Sequence, residues 1–388
     1  MNMRANGLFA IYSLGSVVLA TVLAGCASGP VLERSRAPVA VPPPASTQSA
    51  PAPAPGGAVL VKGASRWVAT DWAELPGWSE DRLFEAWNAW IKSCEKPAAP
   101  FAALCGQVRA LSIASEEEQR AWLQARLQPY RVESAQGESR GLLTAYYEPV
   151  LEGSRLPTAA HAVAVYGLPS TLAARKPWFT RQEIDTLPQA QAALAGKTIV
   201  YLADPVDALS LQIQGSGRVR VTQPDGSVRF VRLAYAGSNE QPYRSVGRWL
   251  LDQGLIKDAS WPGIRAWLAQ NPQRQQELLW SNPRVVFFKE EPLSDLDAAF
   301  GPRGAQGVAL TPGRSIAVDR ASIPYGAPVW LSSEGPMQVV QKLVLAQDTG
   351  NAITGAVRAD YFVGWGAEAG ALAGRLRQTL QMWILWPK

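Results

Sequence analysis

The sequence predicts a mainly β protein with helices, organised as two β-rich bodies, one inserted in the other. Three observations carry this. From Gly141 onward the chain breaks into short apolar runs between turns, GLLTAYYEPVLEGS, KTIVYLADPVDALSLQIQGSGRVRV and SVRFVRLAYAG, which is the signature of strands. Two helical stretches follow, at about 243–254 and about 260–281. The strand signature then returns in RVVFFKEE, RSIAVDR, APVWLSS and QKLVLAQ, so one β body resumes after another has been completed.

The elements follow in order. Before Gly141 the pattern is helical, with Trp72, Trp78, Leu83, Phe84, Trp87 and Trp90 supporting the first helices. SEEEQRAWLQARLQ, residues 115–128, is a helix opened by a capping box: Ser115 caps the first turn and Glu118 reaches back to it. PDGS at 224–227 reads as a hairpin turn between two strands.

The N-terminus sets the address. Arg4 precedes the apolar stretch LFAIYSLGSVVLATVLAG, which has the form of a signal peptide. It ends in LAGC, residues 23–26, a pattern that resembles a lipobox, with cleavage before Cys26 and lipid on that residue. An ordinary signal peptide or a membrane anchor is the plainer alternative. Residues 1–25 are thus the expected leader, and Ala27, where an aspartate would favour inner-membrane retention, favours the periplasmic face of the outer membrane. Residues 26–60, rich in Pro and Ala, form a tether that cannot bury enough apolar surface to fold. In such an oxidising compartment Cys94 and Cys105 either pair or stay as two buried thiols.

Several classes are excluded. Lys plus Arg number 37 against 32 Asp plus Glu, with no basic run, so a nucleic-acid footprint is missing. The chain holds one histidine, His161, amid small apolar residues, and no GxSxG elbow, which argues against a serine or cysteine triad. Neither a histidine pair nor CxxC is present, so no metal site is expected, and nothing calls for a cofactor. Acid–base chemistry must then rest on carboxylates, tyrosines or lysines. The 15 tryptophans suit a protein that stacks sugar rings, although most, such as Trp249, Trp267 and Trp280, are expected in the core.

Attention falls on LVLAQDTGNAITGAVRADYFVGWG, residues 343–366, where Asp348 and Asp360 sit among glycines that permit tight turns or close approach of a ligand. Asp319 in SIAVDR reads more readily as a turn residue, and Glu148 in YYEP as a solvated one. DTG is also the aspartic-protease signature, but that enzyme needs two such elements; here it occurs once, after polar Gln347.

LTAYYEP (143–149), QIQGSGR (212–218), YAGSNEQPYRSVGRWL (235–250), NPRVVFF (282–288) and LTPGRSIAVDRASIPYGAPVWL (310–331) lie in line with this segment. Together they resemble the membrane-bound lytic murein transglycosylase A family, from about residue 65 to the C-terminus. The resemblance implies a six-stranded double-psi β-barrel, made of 61–147 with its helices and 289–388, and a second β-barrel inserted at 148–288. It implies non-hydrolytic cleavage of peptidoglycan between N-acetylmuramic acid and N-acetylglucosamine, leaving 1,6-anhydro ends. Asp360 would be the single acid and base, next to the aromatic Tyr361, Phe362 and Trp365, with Asp348 in support. Tyr147, Gln214, Ser216 and, more weakly, Thr144 are the expected glycan contacts, although QIQGSGR also reads as a bulged strand with an ordinary hairpin. Many relatives carry a second glycine where this chain has Asn351. Expected partners are glycan strands, the membrane through Cys26, and proteins of murein synthesis. A non-catalytic murein-binding lipoprotein, or a glycoside hydrolase on the same scaffold, is the alternative.

Overall fold

Glycine and β-branched runs in the second half of the chain close a ring of strands. The structure, a computed structural model, describes residues 58–388; the leader, Cys26 and the tether up to residue 57 lie outside the described residues. Ahead of the insertion run β1 (Val59–Lys62), β2 (Ser65–Ala69), β3 (Leu127–Ser134) and β4 (Gly141–Glu148). Next come β5 (Val150–Ser154), β6 (Val163–Tyr166), β7 (Thr198–Leu202), β8 (Ser216–Thr222), β9 (Val228–Ser238) and β10 (Val286–Pro292). The last five are β11 (Ser315–Val318), β12 (Pro328–Ser333), β13 (Val340–Asp348), β14 (Arg358–Trp365) and β15 (Arg377–Pro387).

The first sheet contains the order β15-β12-β13-β11-β14-β4, and β4 pairs back onto β15, so these six strands close into a barrel. Two of its ladders, β11 with β13 and β14 with β4, are parallel. Parallel neighbours need long crossovers, and the one from β4 to β14 contains the whole inserted body. This is the barrel expected from the resemblance. Its interior is filled by Ile316, Val318, Val329, Leu331, Val344 and Ile384, all fully buried or nearly so.

Outside the barrel, the helix Leu83–Ser93 buries Leu83, Ala86, Trp87 and Trp90, one stripe at helical spacing. That stripe packs on Trp330, Leu343 and Leu345 of β12 and β13. Cys94 and Cys105 form a disulfide with Cα atoms 5.5 Å apart, tying this helix to the next one, Cys105–Ala110. Arg314, 1 % exposed, locks barrel to helices: its two terminal nitrogens each donate to Asp81 at 2.8 Å. Gln347, also buried, donates to the Ala89 carbonyl at 2.8 Å and accepts from Ser315. The expected helix after Ser115 spans Glu116–Arg126 with the Ser115–Glu118 capping box in place.

The second sheet runs β10-β9-β8-β5-β7-β6. Val165 of β6 and Val286 of β10, at opposite edges, share one core with Val200, Val219 and Leu233, so the sheet curls strongly. The hairpin turn at 224–227 joins β8 to β9, with Gln223 N–H donating to Ser227 O at 2.8 Å. One expectation is corrected here. DPVDALSLQIQ is not strand but the helix Pro205–Gln214, with Asp204 as its N-cap, Pro205 in its first turn and Gly215 in the left-handed conformation at its end. The start and stop signals are plain in the sequence, but its dense apolar residues, buried at Val206, Ala208, Leu209 and Leu211, mimic a strand. The tryptophans are mainly core, as Trp67, Trp87, Trp90, Trp178 and Trp330 are all fully buried.

Candidate active site

Between the closed barrel and the inserted sheet lies a cavity of about 650 Å³. Its barrel wall carries Thr144, Tyr146, Asp348, Arg358 and Asp360, and its insert wall Gln214, Ser216, Tyr235, Tyr243 and Arg284. Its aromatic residues are three tyrosines, and no tryptophan lines it.

Asp360 is the third residue of β14, in register with Thr144 on the parallel strand β4 and with Ala317 on β11. The ladder therefore places the Thr144 hydroxyl against the carboxylate, to which it donates at Oδ1. The same hydroxyl accepts from Arg358 Nη2 at 2.8 Å. Among the described residues Oδ2 of Asp360 has no hydrogen-bond partner, so one oxygen is held and the other faces the cavity. Burial pushes the carboxyl above its usual range, against the lowering effects of the Thr144 hydrogen bond and the Arg358 charge.

Asp348 ends β13 and is engaged at both oxygens. Oδ1 accepts from Ala305 N–H and Thr349 N–H, each at 2.9 Å, and Oδ2 accepts from the Tyr146 hydroxyl at 2.9 Å. Burial raises its pKa to about 6; these hydrogen bonds pull it down and the nearby Asp360 charge adds to the rise. The Tyr146 phenol is pushed well up by its burial and by Asp348. Asp348 thus organises the cavity floor, while Asp360 has the free oxygen.

The remaining candidates sort by strand alternation. On β4, Thr144 and Tyr146 share one face, so Tyr147 points away. Its ring lies over Gly370, where a Cβ would come within 2.8 Å of Tyr147 Cε2. Tyr147 therefore does not line this cavity; its backbone N–H donates to Gln214 Oε1 at 3.1 Å. Thr144 serves Asp360 first. Gln214 and Ser216 line the cavity from the end of the helix and the start of β8. Asp319 does not line it: Oδ1 accepts from Ala321 N–H at 2.9 Å and Oδ2 from Gly355 N–H at 2.8 Å, so it holds the turn and the loop after Asp348. His161 pairs only with nearby Thr158.

Glu148 is not solvated. It is wholly buried, with Arg218 Nε and Arg232 Nε donating to its two oxygens, each at 2.7 Å. Tyr146, Tyr243, Arg284 and Arg358 were missed; for Tyr146 the period-two spacing from Thr144 was the available signal. Among the described residues no group of three or more His, Cys, Asp or Glu side chains is placed to hold a metal.

Two domain families match the chain: the MltA specific insert domain over residues 142–289 and the 3D domain over 314–386. The membrane-bound lytic murein transglycosylase A of Vibrio cholerae is 32% identical over 278 residues, which cover 67% of this chain and 71% of that protein. The chain belongs to the membrane-bound lytic murein transglycosylase A family. Solved structures agree. A lytic transglycosylase, LtgG, of Burkholderia pseudomallei is 41% identical with a TM-score of 0.58, covering 86% of this chain and 100% of that one. E. coli MltA with bound chitohexaose is 25% identical with a TM-score of 0.64, covering 78% and 89%. The insert match of the transglycosylase A family begins on β4, so the strand that supports Asp360 through Thr144 also leads into the inserted body.

Proposed function

We propose that this protein cleaves the glycan strands of peptidoglycan as a lytic transglycosylase, with Asp360 as its acid and then its base. The observation that carries the assignment is the Asp360 carboxyl itself: one oxygen is fixed by Thr144, the other is free toward the cavity, and burial favours the protonated form. In the first step the Asp360 proton passes to the glycosidic oxygen as the bond to C1 of N-acetylmuramic acid breaks, and N-acetylglucosamine departs. The C6 hydroxyl of the same muramic ring then bonds to C1, and its proton returns to the Asp360 carboxylate. The product is a 1,6-anhydro end and no water is consumed. A hydrolase would need a second free carboxylate as nucleophile or base, whereas both oxygens of Asp348 are occupied. Chitohexaose bound to an E. coli relative supports a glycan in this groove.

Murein sacculi digested by the wild-type protein and by Asp360→Asn, then resolved by mass spectrometry, test this directly. Anhydro-muropeptides from the wild type alone are expected; reducing ends would point to a hydrolase, and no product from either to a binding protein. The lipobox-like LAGC supports a lipid anchor at Cys26, facing the periplasm from the outer membrane. Membrane fractionation of a Cys26→Ser variant is expected to release it, and retention would refute the anchor.

A further inference from the structure

Arg284 enters the cavity from the corner before β10, and that corner is built with unusual care. Buried Asn239 donates from Nδ2 to the carbonyls of Phe179 and Pro283, both at 2.9 Å, and accepts from Val285 N–H at 2.9 Å. Buried Asn282 accepts from Arg284 N–H at 3.3 Å and Arg244 N–H at 3.2 Å. Buried Arg181 donates to the Arg284 carbonyl at 2.5 Å. These side chains hold the backbone on both sides of Arg284, so its guanidinium is presented from a rigid mount.

The guanidinium itself is satisfied by neutral groups. Nη1 donates to the Gln241 carbonyl at 3.0 Å. The Asn351 amide lies across the cavity, and in the orientation that puts its oxygen inward it accepts from Nη2 at 2.6 Å and from Nη1 at 2.8 Å. Among the described residues Arg284 forms no ion pair, and neither do Arg303 and Arg358, which line the same cavity. A carboxylate competes well for such a guanidinium, since charge-assisted hydrogen bonds are roughly twice as strong as neutral ones. Asn351 is exposed, on the loop after Asp348, and can yield its place.

We propose that Arg284 is the receptor for a carboxylate of the peptide borne by the glycan, and that Asn351 occupies it until substrate arrives. This rests on the transglycosylase assignment. Each muramic residue carries its peptide on the lactyl ether at C3, so a ring seated at Asp360 must lead an acidic substituent out along a wall of the groove. On the insert wall the cation proposed to meet it is Arg284.

The test compares kcat/KM on three substrates: peptide-bearing murein glycan, the same glycan stripped of peptide, and the peptide-bearing glycan with its carboxylates converted to amides. The wild type is expected to favour the first, and Arg284→Gln to reduce that preference by about tenfold, the equivalent of ~1.4 kcal/mol. Arg284→Lys keeps part of the preference. Asn351→Gly, which removes the resident acceptor, is expected to lower KM for the acidic substrate alone. Equal cleavage of free and amidated substrates by the wild type, or a preference unchanged in Arg284→Gln, overturns the proposal. An Asn351→Gly protein with unaltered KM overturns the exchange. If the wild type cleaves none of the three, the failure is that of the transglycosylase assignment instead.

Discussion

One parallel ladder, β4 with β14, carries a fully buried carboxylate and a half-buried one that are treated in opposite ways. At one end Glu148, in register with Trp365, receives two guanidiniums at 2.7 Å, and these also donate to the carbonyls of Ala298 and Phe300. Arg218 lies 3.7 Å from the Trp365 ring as well, so the pair joins strands of the inserted sheet to the barrel. Near the other end Asp360, in register with Thr144, receives one hydroxyl and no ion pair among the described residues. A carboxylate that fastens two bodies is given cations and is kept from exchanging its partners. The one proposed above to take and release a proton has a single neutral donor, partial burial and a free oxygen.

The largest effect that can break this contrast is loss of the proton carrier. Asp360→Asn is expected to lower anhydro-muropeptide formation by roughly 10²–10⁴-fold with the thermal unfolding midpoint little changed. Substantial residual activity would transfer the role to Asp348. Glu148→Ala should do the reverse, leaving two buried guanidiniums without a counter-charge and costing about 3–5 kcal/mol in urea unfolding. A loss below about 1 kcal/mol would mean the pair is dispensable to the junction.

Thr144→Val sharpens the comparison, because the hydroxyl both positions Asp360 and favours its charged form. Loss of a hydrogen bond to a charged group is worth about 1.5–3 kcal/mol, so kcat should drop at least about tenfold. The alkaline limb of the pH–rate profile should meanwhile move to higher pH. The sign follows directly: without Thr144 the acid form of Asp360 persists further as pH rises, and activity needs that form. An alkaline limb that stays in place would leave Thr144 a packing residue. Asp348→Asn is expected to shift the same limb the other way and by the least. The Asp360 charge raises Asp348, and coupling between two titrating groups is mutual, so neutralising Asp348 makes Asp360 easier to ionise. A shift to higher pH would contradict that coupling.

Much of this molecule is legible before any coordinate. The capping box at Ser115, the hairpin turn at 224–227 and the barrel strand that leads to Asp348 follow from local chemistry. Local chemistry also misled. The helix Pro205–Gln214 has Asp204 and Gly215 as its punctuation, yet its apolar density reads as strand. Tyr146 rather than Tyr147 lines the cavity, and Thr144 two residues away marks which face of β4 looks inward. Glu148 reads as solvated in sequence because its partners, Arg218 and Arg232, are remote along the chain.

By itself the sequence determined the β-rich order of elements, the family, and the two aspartates worth weighing. Those depend on residue type and on spacing along the chain, which local propensity and glycine geometry translate directly. Tertiary structure alone decided which aspartate has a free oxygen, which carboxylate is clamped between arginines, and that Arg284 meets Asn351 across the cavity. The reason is physical. A hydrogen bond between residues on different strands or bodies depends on register and closure, and these are set only when the β4–β14 ladder and the closing β15–β4 pairing bring distant segments together.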